Sequence, residues 1–210
     1  LVGIGAGMTY GPLGPTHHAY EDIAIMRAIP NMKVICPGDP IETKELVCQT
    51  YDMEGPIYIR LAKNGEPNIH KTNSIIEFGK AIEVIKGNDL ILITTSNMLE
   101  TGNIWAEEWK KEGVGVTLVS MHTIKPLDQK FIEALIDRKL PIITLEEHNV
   151  IGGLGSAVAE VIAESGFTIP FRRIGINDTF SHYVGNHNFQ RKKFNLVEKP
   201  NLDTLFKKST

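Results

Sequence analysis

Short apolar runs bounded by turn residues alternate along the chain with stretches whose apolar positions recur at helical spacing, the layering of an α/β protein. Strands are predicted at Lys33–Cys36, Ile57–Leu61, Ala81–Ile85, Leu90–Thr94, Val116–Ser120, Ile142–Glu146 and Phe171–Ile174. The opening LVGIG reads as the apolar end of a further strand running into a glycine loop. Helices are predicted over Tyr20–Ala28, Pro40–Tyr51, Leu99–Glu112, Asp128–Arg138, Gly155–Glu164 and Leu202–Lys208. Asp39 before Pro40, Asp128 and Asn201 supply the side chains that cap a helix start. Over residues 65–78 the pattern lapses into the polar, turn-rich GEPNIHKTNSIIEF, which marks a linker. It separates residues 1–64, too short for an independent α/β domain, from residues 79–210. Opening in mid-strand at Leu1 suggests a fragment or a chain whose first part lies elsewhere, with a processed N-terminus as the alternative.

Composition narrows the function classes. The 210 residues are 42% apolar and 22% charged, with a formal charge of -3. No strong field invites nucleic acid or an anionic membrane, and no apolar run reaches the ~18 residues of a membrane span. The start lacks the basic and apolar regions of a signal peptide. Cys36 and Cys48 make no disulfide scaffold, so a reducing cytoplasm is expected.

Chemistry concentrates in three places. In GPLGPTHH, Gly11, Pro12, Gly14 and Pro15 form a tight loop, and Thr16 stands where a helix cap belongs, with His17 and His18 in the first turn. A histidine there stays neutral beside the positive helix end and suits proton transfer at a developing oxyanion. Capping or plain surface roles are the alternative. A metal held by one of these histidines and Glu21 would have too few ligands. In GPIYIRLAKNGEP, Arg60 and Lys63 come at a strand's carboxyl end, where an anionic ligand or only solvent can meet them. In LEEHNVIGGLGSAVAE a strand runs through glycines into a helix, but the spacing is not that of a dinucleotide loop, and its small residues suit close packing on a sheet. His70, His122, His148, His182 and His187 form no convincing ligand set and are expected to be structural or on the surface.

The string GPTHHAYEDIAIMRAIPNMKVICPGDPIETKEL resembles the second half of the pyrimidine-binding domain of transketolases and of 1-deoxyxylulose-5-phosphate synthases, and LEEHNVIGGLGSAVAE resembles the transketolase C-terminal domain. The resemblance implies part of a thiamine-diphosphate-type pyrimidine-binding domain over 1–64, a linker over 65–78 and a three-layer α/β C-terminal domain over 79–210. It implies transfer of a two-carbon ketol unit between sugar phosphates, with thiamine diphosphate and Mg2+ as cofactors of the complete enzyme. His17 would assist at the donor oxygen as the catalytic residue, and Arg60 and Lys63 would hold the sugar phosphate. The diphosphate-binding domain, with its magnesium motif, would come from an N-terminal section or large subunit, and neither nucleic acid nor membrane is implicated. A homodimer is expected, and the chain alone should be inactive and bind no cofactor tightly. Leu13 stands where transketolases usually carry an aspartate that contacts a donor hydroxyl, which points to a different sugar. Synthase-like and 2-oxoacid-dehydrogenase-β-like activities, and a non-catalytic dimerisation or regulatory module, are the alternatives.

Overall fold

The computed structural model describes residues 1–63 and 65–207; Asn64, the last residue of the expected first section, and Lys208, the expected end of the last helix, lie outside them. Nine strands form two sheets among these residues. In the first, β1 (Val2–Ile4), β3 (Ile57–Leu61) and β2 (Lys33–Ile35) run parallel, and β7 (Thr123–Lys125) closes the order β1-β3-β2-β7 antiparallel to β2. The second has the order β4-β6-β5-β8-β9, from Ile82–Ile85, Val116–Ser120, Leu90–Thr94, Ile142–Asn149 and Phe171–Ile176. Its members run parallel except β4, which is antiparallel to β6.

Strand β5 shows how the three layers arise. Successive side chains of a strand point to opposite faces. Ile91 and Ile93 pack with Ile132, Leu135 and Val158 of α4 (Gln129–Ile136) and α5 (Leu154–Ser165). Leu90 and Leu92 pack with Leu99, Trp105 and Trp109 of α3 (Met98–Lys111) on the opposite face. Both faces are covered, which is why the strand reads LILIT without polar alternation.

The first sheet continues into the same core. Ile23 of α1 (Asp22–Ala28) and Val34, Cys36 and Tyr58 belong to the cluster that holds Ile91 and Ile142. Strand β7 was not expected from the sequence: three residues carry no periodicity, and the strand exists through its pairing with β2 and the bond from Cys36 N–H to the His122 carbonyl (2.7 Å).

The segment expected to be a linker packs on α2 (Pro40–Thr50). Asp39 caps α2 through the Glu42 N–H (2.8 Å), and its other oxygen accepts from the Ile69 and His70 N–H groups (2.9 and 2.8 Å). Gln49 brackets Ile76 and Phe78 from the next turns. Buried Glu42 accepts from Ser120 Oγ (2.5 Å) and Gly38 N–H (2.6 Å), with His70 Nε2 3.5 Å away.

Burial pushes the Glu42 carboxyl up to about 7 against those donors. The folded state therefore binds more protons than the unfolded chain between the ordinary value of 4.5 and about 7. Stability carried by this group falls as pH rises through that window. Glu42→Gln should lose this slope, so wild type loses stability relative to the variant from pH ~5 to ~8 in urea unfolding. An equal difference at both pH values would mean that the carboxylate is ionised throughout.

Candidate functional site

His17 sits on a loop made rigid from both ends. Gly11–Leu13 and Pro15–His17 form two single 3-10 turns, with Gly14 between them at φ 77. His18 is then extended, and Ala19 pairs with Gly7 in an antiparallel bridge through two bonds (2.8 and 2.9 Å). The α-helix begins only at Asp22. Thr16 therefore caps no α-helix, and His17 and His18 are not in an α-helical first turn; His18 is extended and Ala19 is held in the bridge to Gly7. No α-helix N-terminus therefore lies at His17. His17 is exposed, and its Nδ1 lies 3.0 Å from Thr16 Oγ1. Both ring nitrogens of His18 are buried without a hydrogen-bond partner among the described residues. Burial lowers the His18 pKa against the pull of Glu147, so the ring is neutral at pH 7.

Lys63 and Arg60, three residues apart on β3 and the loop after it, have different surroundings. Lys63 is exposed, with Nζ 5.3 Å from the centre of the Tyr10 ring at the entry to the His17 loop. It lines a cleft of about 410 Å³ with Gly38, Pro40, Lys44 and Leu61. Arg60 is 1% exposed. Its Nε donates to Asp22 Oδ2 (2.9 Å), and its Nη2 donates to the carbonyls of Ala19 (2.8 Å) and Glu147 (3.0 Å). Tyr58 Oη donates to the same Asp22 oxygen (2.7 Å). The structure thus places Lys63 at the edge of the His17 loop and Arg60 beneath it, tied to protein groups.

The Glu146-Glu147-His148 triplet at the end of β8 joins the two sheets. Glu146 accepts from the Leu154 and Gly155 N–H groups (2.7 and 2.8 Å), capping α5 from the strand side. Burial pushes its carboxyl up to about 7 despite those donors. His148 meets the first unit as an acceptor: its Nε2 takes the Ala24 N–H of α1 (3.3 Å), and burial with Arg60 nearby lowers its pKa to about 4. Glu147 takes Met8 N–H (2.6 Å), His187 Nε2 (2.7 Å) and Arg191 Nε (2.5 Å), the last two from α6 (His187–Lys193). Burial alone would raise this carboxyl, but Arg191 and His187 outweigh it and hold it at about 2.

Spacing along the chain does not reveal the role of this triplet, because Met8 and Ala24, which it meets across the joint, lie more than a hundred residues away. His70, His122 and His148 are buried, while His182 is exposed. Among the described residues no group of three or more His, Cys, Asp or Glu side chains is placed to hold a metal ion, and no helix is long and apolar enough to cross a membrane.

Comparison with known proteins adds the family. The transketolase pyrimidine-binding-domain model matches residues 1–67, and the transketolase C-terminal-domain model matches residues 79–191. A protein of Methanocaldococcus jannaschii described as a transketolase C-terminal section is 40% identical over 86% of this chain and 57% of its own length. A 6-deoxy-6-sulfo-D-fructose transketolase subunit of a Clostridium species is 35% identical over 95% of this chain and 61% of its own length. The solved structure of a split-gene transketolase, an inactive β4 tetramer, superposes with a TM-score of 0.84 at 33% identity, covering 93% of this chain and 62% of that one. The chain thus spans less than two thirds of the proteins it matches. With both domain models matched in order along one polypeptide, the chain belongs to the transketolase family.

Proposed function

We propose that this chain is the C-terminal part or small subunit of a transketolase-type transferase, moving a two-carbon ketol unit between sugar phosphates through thiamine diphosphate. The observation that carries the reading is an exposed histidine, His17, on a braced loop with Lys63 at its edge, beside the carboxyl end of β3. Ligands of open α/β sheets bind at that end. When bound, thiamine diphosphate supplies the electron sink. His17 holds the donor oxygen and moves its proton, which a positioned imidazole does best near neutral pH. Lys63 attracts the sugar phosphate as a point charge without the fork of an arginine. Arg60, engaged by Asp22, Ala19 and Glu147, braces the strand end beneath the loop.

The exposed His17 and the unpartnered His18 ring fit contact with a group brought from outside the chain. The cofactor's diphosphate and magnesium are assigned to a partner chain carrying the diphosphate-binding domain. The split-gene neighbour's β4 assembly is inactive, and we read this chain alone in the same way.

The test mixes the chain with that N-terminal partner, thiamine diphosphate and Mg2+, and follows ketose-dependent ferricyanide reduction. Activity should appear only in the mixture, and Lys63→Ala should raise KM for a ketose phosphate about tenfold, the scale of one charge-assisted contact. A stable complex silent over a panel of ketose phosphates would favour a non-catalytic assembly module.

A further inference from the structure

The carboxylate of Glu147 is the least expected group near the candidate site, because it comes from the second α/β unit and is fully buried behind the loop that bears His17. It joins three segments far apart in sequence. Its Oε1 takes the Met8 N–H, one residue from Gly7, whose bridge to Ala19 fixes the chain just after His17-His18. Its side chain also meets His187 and Arg191 of α6. Its main-chain carbonyl takes Arg60 Nη2, which donates to the Ala19 carbonyl as well. Gly7, at φ 63, leaves the space for this carboxylate: a Cβ there would run into Glu147 Oε1 and Cγ.

We propose that Glu147, backed by Arg191 and His187, is a positioning residue that sets the reach of the His17 loop from within the second α/β unit. The inference rests on the reading of His17 given above and extends it: the C-terminal unit contributes to the site by holding its loop, not only by packing beside it. Two hydrogen-bonded paths lead from Glu147 to that loop, one through Met8 and the Gly7–Ala19 bridge and one through Arg60. All the groups that Glu147 Oε1 and Oε2 meet are donors, so an isosteric amide must turn its NH2 toward one of them. Glu147→Gln therefore keeps the volume and breaks one of the three contacts.

The experiment uses the complex with the N-terminal partner and compares wild type with Glu147→Gln and, as the gentler change, Arg191→Lys. Glu147→Gln should lower kcat about tenfold with KM for the ketose phosphate changed less than about twofold, since a displaced catalytic group costs rate more than binding. Arg191→Lys should fall between the two. Amide hydrogen exchange at Met8 and Ala19, and the ring signals of 15N-labelled His17 and His18, should change in the same order. Unchanged exchange and ring signals in both variants overturn the inference, whatever the rates do. If the wild-type complex transfers no ketol unit while these signals still move, loop positioning stands and the catalytic reading of His17 fails. An inactive Glu147→Gln with wild-type signals would place the carboxylate in some other role and also overturn the inference.

Discussion

Replacing His17 by alanine should lower ketol transfer by the complete complex by about 10²–10⁴-fold, the contribution of a positioned acid–base group. The fold should not notice. His17 is exposed, and its ring is bonded only to its neighbour Thr16 among the described residues, so thermal unfolding and assembly with the partner should match wild type. The effect should fall mainly on kcat, because the imidazole acts where charge develops in the reaction. His17→Asn, which keeps a donor but cannot carry a proton near pH 7, should recover part of the donor-oxygen contact and little of the proton transfer. A His17→Ala complex that turns over within about threefold of wild type would remove this residue from the chemistry. A complex that loses activity because it no longer assembles would assign the loop to the interface between chains.

Most of the framework was legible because local pattern and tertiary environment agree. LILIT, VTLVS and IITLE are rich in β-branched and apolar residues and buried on both faces, as strands covered by helices must be, although the last runs on to Asn149. Asp39, Asp128 and Asn201 cap the helices that their positions predict. The misses have a common origin. Strand β7 is defined by a neighbour almost ninety residues earlier, so three residues of sequence carry no sign of it. The turn after Thr16 looked like a helix start because Gly, Pro and Thr are helix-entry residues. The Gly7–Ala19 bridge, a tertiary contact, takes His18 and Ala19 out of any helix, and α1 begins only at Asp22. At the site itself, residue type and motif single out His17, Arg60 and Lys63 alike. What separates Lys63 from Arg60 is the depth at which each cation lies, and depth depends on Asp22, Ala19 and Glu147, which no spacing along β3 reveals.

That difference predicts the largest loss of stability. Arg60→Met should destabilise the fold by about 3–5 kcal/mol, the cost of removing one partner from a buried ion pair. In a chain of this size it lowers Tm on the order of 10 °C. The methionine fills much of the volume but leaves the mostly buried Asp22 carboxylate with Tyr58 as its remaining side-chain donor among the described residues. It also strips the Ala19 and Glu147 carbonyls of Arg60. The pH dependence identifies the cause. In wild type, burial raises the Asp22 carboxyl but Arg60 and Tyr58 outweigh it, so its pKa is lowered; the stability it contributes is present above the ordinary value of 3.8 and is lost as pH falls through the folded pKa. Without Arg60, burial dominates and the carboxylate becomes a penalty above that value. The deficit of Arg60→Met should therefore be greatest near pH 7 and shrink toward pH ~4. Adding Asp22→Asn should recover a large part of the loss at pH 7, because it removes the uncompensated charge and not merely another contact. If Arg60 instead gripped a sugar phosphate, Arg60→Met would unfold near the wild-type temperature, show no such pH dependence, and register chiefly as a raised KM for phosphorylated ketoses.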